Sequence, residues 1–219
     1  MLIFNSHKTI EILQQFLPPN PVIVEAGAFD GHDTQKMAKQ WPSSTIHAFE
    51  PLPEIYERLV KNTQHLNNVH CHPFALSNHT GSALFYVSEK PTRPGTASQA
   101  GSLHAPKERL QHSPMIFPRT TTVQTITLEK WANENAIQLI DLLWLDTQGH
   151  ELAILQSASN ILKNIKVVLA EVSFIESYED QPQYQDVVTW MASHGFEHVG
   201  RDFENVSKSF FGNALFVKK

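Results

Sequence analysis

Apolar positions along the chain fall into short β-branched runs separated by helical stripes. Val22-Ile23-Val24, Thr45–Phe49, Asp141–Leu145 and Val167–Val172 are continuous runs of the kind that strands buried on both faces require, the last broken by Glu171. Between them the spacing turns helical. Ile10, Leu13 and Leu17, with Phe16 beside them, form a stripe over Ser6–Leu17 that Pro18 and Pro19 stop. A helix is expected over His32–Gln40 with Asp33 near its start, and Pro51 and Pro53 set up another carrying Ile55, Leu59 and Val60. Thr127 can cap a helix running to about Asn135. Leu152, Leu155, Ala158 and Leu162 predict one long helix over Gly149–Lys163, and a further helix lies near Tyr184–His194.

The remaining strands are expected at Val69–Phe74, Ala83–Val87, Thr122–Ile126, Phe196–Gly200 and Asn213–Val217, with Ala75-Leu76-Ser77 as a corner and a turn at Asn78–Gly81. The last two strands have only a loop between them and should pair antiparallel, because a parallel pair needs a longer crossover. Ser88 to about Thr120 breaks the rhythm. It holds Pro91, Pro94, Pro106, Pro114 and Pro118 among many Ser, Thr and Gly, and reads as a long irregular connection of the kind used for a substrate lid or binding loop.

With 219 residues and 41% hydrophobic content, the chain is expected to form a single α/β domain over residues 1–219. A net charge of −5, without a dense run of Lys or Arg, argues against a nucleic-acid partner. No apolar run approaches a membrane span, and a basic region followed by a long apolar stretch is missing from MLIFNSHKTI. The single cysteine, Cys71, allows no intrachain disulfide and agrees with a reducing compartment, so a cytoplasmic location is expected. The 12 histidines are scattered without a zinc-binding pattern, although His70 and His72 share one face of a strand.

Chemistry gathers where strands end. Pro21–Gly31, PVIVEAGAFDG, runs an apolar strand into a glycine turn and then a helix start, which lets backbone N–H groups approach a ligand closely. Its spacing, Glu25-x-Gly27-x-x-x-Gly31, lacks the three glycines of the dinucleotide fingerprint. Another nucleotide fold or a purely structural turn stays open from this stretch alone. Glu25, Glu50, the Ala75-Leu76-Ser77 corner and Asp146 would all meet at the carboxyl ends of parallel strands, where open α/β sheets bind ligands.

Three stretches resemble the FkbM family of S-adenosylmethionine-dependent methyltransferases: VEAGAFDG at the first strand, HAFEP at the second, and LLWLDTQGHELAILQSA over Leu142–Ala158. PFALSN at Pro73 and FGNALFVKK at the C-terminus agree more weakly. The resemblance implies the Rossmann-like class I methyltransferase fold, a seven-stranded, mostly parallel sheet of order 3-2-1-4-5-7-6 with helices on both faces. It also implies S-adenosyl-L-methionine as cofactor and S-adenosyl-L-homocysteine as product. Gly27, Ala28 and Gly31, with Phe29 in the same turn, would line the methionine portion, and Glu25 would support its amino group. Glu50, followed by Pro51, would hold the ribose; Leu52, Ala75 and Leu76 would border adenine; Asp146 would sit near the sulfonium. Gln148 departs from the family, many members of which carry Glu there.

Methyl transfer needs alignment and removal of the acceptor's proton. His150, Asp146 and His32 are the candidate bases. Asp146 and Glu171 could supply two oxygens to Mg²⁺, but no third ligand is evident, so metal dependence is not the primary expectation. Ser102, His104, Arg109, His112 and Arg119 in the Pro-rich stretch offer polar contacts to an acceptor. The expected reaction is O-methylation of a hydroxyl on a small molecule or glycan. The alternatives are an NAD-type oxidoreductase and a non-catalytic cofactor-binding module.

Overall fold

The structure, a computed structural model, describes residues 1–205 and 209–219. In chain order its first half comprises β1 (Leu2–Ile3), α1 (Thr9–Leu13), β2 (Val22–Ala26), α2 (His32–Gln40), β3 (Thr45–Phe49), α3 (Pro53–Thr63), β4 (Val69–His72), β5 (Ala75–Ser77) and β6 (Gly81–Glu89). Then come α4 (Arg109–His112), β7 (Ile116–Thr127), α5 (Leu128–Glu134), β8 (Ile140–Leu145), α6 (Glu151–Gln156), β9 (Ile165–Ser173), α7 (Tyr184–Ser193), β10 (Phe196–Arg201) and β11 (Phe211–Lys218). The main sheet runs β1-β10-β11-β9-β8-β2-β3-β4. Without β1, this is the expected order 3-2-1-4-5-7-6. The β11 strand pairs antiparallel with both β9 and β10, while β2 is parallel to β3 and β8. The eighth strand, β1, is two exposed residues and too short to leave a periodic signal.

Unbroken apolar runs follow from burial on both faces of the sheet. Val24, Leu143, Leu145 and Val168 pack beneath Leu128 and Trp131 of α5, Leu155 of α6 and Met191 of α7. On the other face Ile23, Ile46, Leu142 and Leu169 meet Leu13, Met37 and Trp41. Each such buried aliphatic side chain contributes about 1.5–3 kcal/mol relative to exposure.

Three elements differ from the sequence reading. The long helix over Gly149–Lys163 ends at Gln156 and resumes as a short 3-10 turn over Ile161–Asn164. Ser157 Oγ donates to the Ile154 and Ser77 carbonyls, and Glu129 accepts from the Asn160 and Ile161 amides, so local polar bonds replace the helical ladder. Ala75–Ser77 is a strand, parallel to β7, in a second sheet of order β5-β7-β6. The irregular stretch expected over 88–120 is shorter, because β6 and β7 pair antiparallel from Gly81↔Thr125 to Glu89↔Ile116. The β-branched run Thr120–Val123 favours the ladder. Pro118 is tolerated beside the register irregularity between Val87 and Glu89, at a level where β5 does not reach. Among the described residues no helix is long and apolar enough to cross a membrane.

Candidate active site

A cleft lies across the carboxyl ends of β2, β3, β8 and β9, where the chain steps from β2 to β3 on one side and from β8 to β9 on the other. It has an apolar compartment and an acidic one, which share Gly27, Phe29, Gln99 and Asp146.

The β2–α2 turn divides them. Gly27 and Ala28 N–H groups donate to the Phe49 carbonyl at 3.1 and 2.9 Å, and Asp146 N–H donates to the Ala26 carbonyl at 3.0 Å. Gly27 has φ +85°, and a Cβ there would collide with the Asp146 carbonyl oxygen. The three strand ends thus approach more closely than any side chain permits. Phe29 holds φ 50°, strain of the kind that collects at functional turns. Gly31 faces elsewhere: a Cβ there would meet Leu59 and Thr63 of α3, and the residue lines neither compartment. Behind the turn, buried Glu25 accepts a 2.5 Å hydrogen bond from Thr34 Oγ1, and burial pushes its carboxyl up to about 8.

Glu50, Pro51 and Leu52 enter the apolar compartment from the end of β3, with Phe74, Ala75 and Leu76 beyond them. Phe85 of β6 and Gly101 and Leu103 of the excursion between β6 and β7 close it from above. Glu50 Oε1 accepts from Leu52 N–H at 2.9 Å, and burial lifts its carboxyl to about 8. His150 is buried on the same side. Its Nε2 lies 3.0 Å from Ser77 Oγ and its Nδ1 2.9 Å from His104 Nε2, and burial first, then His104, hold it down at about 4.

The acidic compartment is organised by Gln148. Buried and held at φ 57°, it donates from Nε2 to Asp146 Oδ1 at 2.6 Å and to Glu171 Oε2 at 2.8 Å. Its Oε1 accepts from Tyr178 O–H at 3.1 Å, a hydroxyl that also reaches the Ala100 carbonyl. Desolvation raises Glu171 well above its ordinary value, and neighbouring Asp146 and Glu151 add to it. Asp146 is raised too, by desolvation first. Because Asp146 is exposed within the open cleft, solvent screens that shift. Ser102 Oγ donates to the Gln148 carbonyl at 2.7 Å, fastening the excursion to this turn.

Of the expected residues, Glu50, Pro51, Leu52, Ala75, Leu76 and His150 share the apolar compartment, and Glu25, Ala28 and His32 the acidic one, with Asp146 common to both. His32 is exposed. Phe74, Phe85, Leu103, Thr147 and Tyr178 were not read from the chain. Phe85 carried a strand signal, but Tyr178 sits in SYEDQPQ, where nothing marks it. His70 and His72 are joined by His47 of β3, whose Nδ1 lies 3.1 Å from His72 Nε2. Among the described residues no group of three or more His, Cys, Asp or Glu is arranged for a metal ion.

These shifts set the pH dependence of the free protein. Glu25 and Glu50 at about 8 and Glu151 at about 7 bind protons more tightly folded than unfolded, so their contribution is complete below about pH 4.5 and is lost as pH rises through 7 to 8. His47, His72 and His150, all held at about 4, act oppositely and lose stability as pH falls below about 6.5. The two sets oppose each other at mildly acid pH. The melting temperature should therefore fall from pH 6.5 to about 8 and level off above it; a flat profile between pH 6.5 and 8 would contradict the burial of the carboxyls.

Residues 25–198 match the family model described as the methyltransferase FkbM domain. The chain is 28% identical over 172 residues to the 2-O-methyltransferase NoeI of Sinorhizobium fredii, covering 78% of this chain and 71% of that one. It is 26% identical over 181 residues to the methyltransferase sdnD of Sordaria araneosa, covering 73% and 70%. Among solved structures, the magnesium protoporphyrin IX methyltransferase from Synechocystis PCC 6803 with bound SAM shares the fold, with TM-score 0.55, 11% identity and coverage of 97% of this chain and 77% of that one. The fibrillarin/Nop5p complex matches with TM-score 0.58 at 14% identity over 98% and 81%.

Proposed function

Since this chain belongs to the FkbM methyltransferase family and is a methyltransferase that uses S-adenosyl-L-methionine, we propose that it methylates a hydroxyl oxygen of a small molecule or glycan. The donor supplies an activated methyl carbon; the chain supplies alignment, exclusion of water and a route for the acceptor's proton.

The observation that carries this reading is the fit of the two-part cleft to the donor. Its adenosine half needs a flat apolar slot with a carboxylate for the ribose hydroxyls, and Leu52, Ala75, Leu76 and Phe85 surround such a slot beside Glu50. Its sulfonium and ammonium need anionic neighbours, which Glu25 and Asp146 provide across Gly27 and Ala28. Both ring nitrogens of His150 are already engaged and it lines the adenosine side, which suits holding the slot together rather than taking a proton.

A cationic ligand draws protons from carboxyls held near 8. Calorimetry should therefore find S-adenosylmethionine binding with proton release, and its thermal shift should grow between pH 6 and 8.5. No shift at any pH, with a shift produced by NAD(H) instead, would overturn the reading.

Asp146 and Glu171 each place one oxygen on the Gln148 amide, a donor standing where a cation would need a ligand. Methyl transfer should then persist undiminished in EDTA. Loss of activity that Mg²⁺ alone restores would assign the carboxylates to a metal.

A further inference from the structure

We propose that the part of the acidic compartment around Glu171 and Arg109, beyond the Gly27 turn and Asp146 that face the donor, is the acceptor site, in which Glu171 takes the proton of the hydroxyl that is methylated and Arg109 holds a second oxygen on the neighbouring carbon of an uncharged acceptor. This rests on the methyltransferase reading above and adds to it the acceptor's chemistry and the residues that meet it.

Arg109 is the first observation. It is 9% exposed, yet its side chain makes no hydrogen bond or ion pair with any described residue, and its Nε is buried without a partner. What fixes it is stacking: the guanidinium lies 5.4 Å from the Tyr178 ring centroid and 5.8 Å from that of Phe210. Stacking engages the face of a guanidinium and leaves its hydrogen-bonding edge open. A desolvated donor set of this kind is costly unless a ligand supplies oxygens.

Glu171 is the second. Its Oε2 is held by Gln148, while its Oε1 makes no hydrogen bond with a described residue. The side chain is half-buried in the wall that also contains Gly27 and Asp146. Charged groups facing it are Asp146 just after β8, Glu151 of α6, Arg109 of α4 and Asp202 after β10. Gln148 is a positioning residue, fixing both carboxylates through one amide.

The compartment's charge selects the acceptor. With Asp30 and Asp33 paired to Arg58 and Lys36 and with Glu25 and Asp146 facing the donor, the acceptor's nearest charged neighbours are Arg109 and Glu171, and an anionic acceptor would meet repulsion from Glu171 in the ionised form that takes the proton. Trp144 and Phe211 add flat apolar walls. A saturated ring bearing adjacent hydroxyls meets each demand: one oxygen toward Oε1 of Glu171, its neighbour toward Arg109, and a C–H face on the aromatic walls. In the transfer the acceptor oxygen forms a bond to the methyl carbon. The donor's carbon–sulfur bond breaks with its electron pair staying on sulfur, and the hydroxyl proton passes to Glu171 Oε1 and then to solvent.

The experiment scores transfer of labelled methyl from S-adenosylmethionine to methyl glycosides of neutral hexoses and 6-deoxyhexoses, the matching uronic acids, a simple phenol and a primary amine. Saturation-transfer NMR of the same glycosides is run on protein loaded with S-adenosylhomocysteine. Neutral glycosides should be methylated and should receive saturation, and uronic acids should do neither. Glu171→Gln should lower kcat about a hundredfold or more and remove the acidic limb of the pH profile. Arg109→Lys should raise KM and weaken the NMR effect more than it lowers kcat. In both variants S-adenosylhomocysteine affinity, by calorimetry, should stay at the wild-type value, which also verifies folding. Exclusive methylation of the phenol, the amine or the uronic acids, or a Glu171→Gln enzyme with wild-type kcat and pH profile, would overturn the proposal. Failure of the wild-type protein to bind S-adenosylhomocysteine would instead overturn the cofactor reading beneath it.

Discussion

Gly27→Ala should abolish measurable S-adenosylmethionine binding and destabilise the protein by about 3 kcal/mol or more. The added Cβ would overlap the Asp146 carbonyl oxygen, and both partners are backbone, so no rotamer change relieves the contact. At φ +85° the alanine would also be strained where it stands. Relief requires the turn to swing outward. That would cost the Gly27 and Ala28 hydrogen bonds to Phe49 and the Asp146 bond to Ala26, which hold the ends of β2, β3 and β8 together. Gly95→Ala is the control: it also has positive φ, at +76°, but nothing lies within 4 Å of its added Cβ. It should cost about 1 kcal/mol and leave binding intact. Calorimetric titration beside urea denaturation separates the two effects. Wild-type affinity in Gly27→Ala would show that the turn does not meet the cofactor.

The second large effect belongs to Glu50. Removing a charged hydrogen-bond acceptor costs roughly 1.5–3 kcal/mol, so Glu50→Ala should weaken S-adenosylmethionine about ten- to a hundredfold. Glu50→Gln is the more revealing variant. Its amide oxygen can still accept from Leu52 N–H, but it cannot ionise. Because burial lifts the Glu50 carboxyl to about 8, wild-type protein above that pH carries a desolvated charge, while the glutamine does not. The free variant should accordingly melt higher than wild type at pH 8.5, even as it binds cofactor more weakly. Opposite signs in two measurements would not arise from misfolding. Affinity unchanged by either substitution would remove Glu50 from the ribose.

Most of the scaffold was legible because its physics is local. The apolar runs beginning at Val22, Thr45 and Asp141 produce strands, and Thr127 caps α5 through its side-chain bond to Lys130 N–H, as its position implied. Glu50 and Asp146 could be placed at strand ends because a carboxylate that closes a buried apolar run has few other addresses. The break after Gln156 was hidden. Apolar spacing continues through Leu162, whereas the ending depends on Ser157 reaching Ser77 and on Glu129 capping from a distant helix.

The acceptor side shows the limit more sharply. Arg109 was one of several polar residues in a proline-rich stretch, with nothing to separate it from His112 or Arg119. In the folded chain His112 and Arg119 are exposed and Arg109 is buried. Gln148 looked like a lost carboxylate, and in place it is the amide that joins two of them. By itself the sequence determined the strands and helices, the antiparallel closing pair, the glycine turn after the first buried strand and the carboxylates at the strand ends, since each follows from periodicity and neighbours close along the chain; the order of the strands came from the family resemblance. Tertiary structure alone decided which groups meet across the cleft: Glu171 with Gln148, Arg109 with Tyr178, His150 with His104. Those pairings depend on side chains from separate elements converging in space, and no spacing along the chain encodes that convergence.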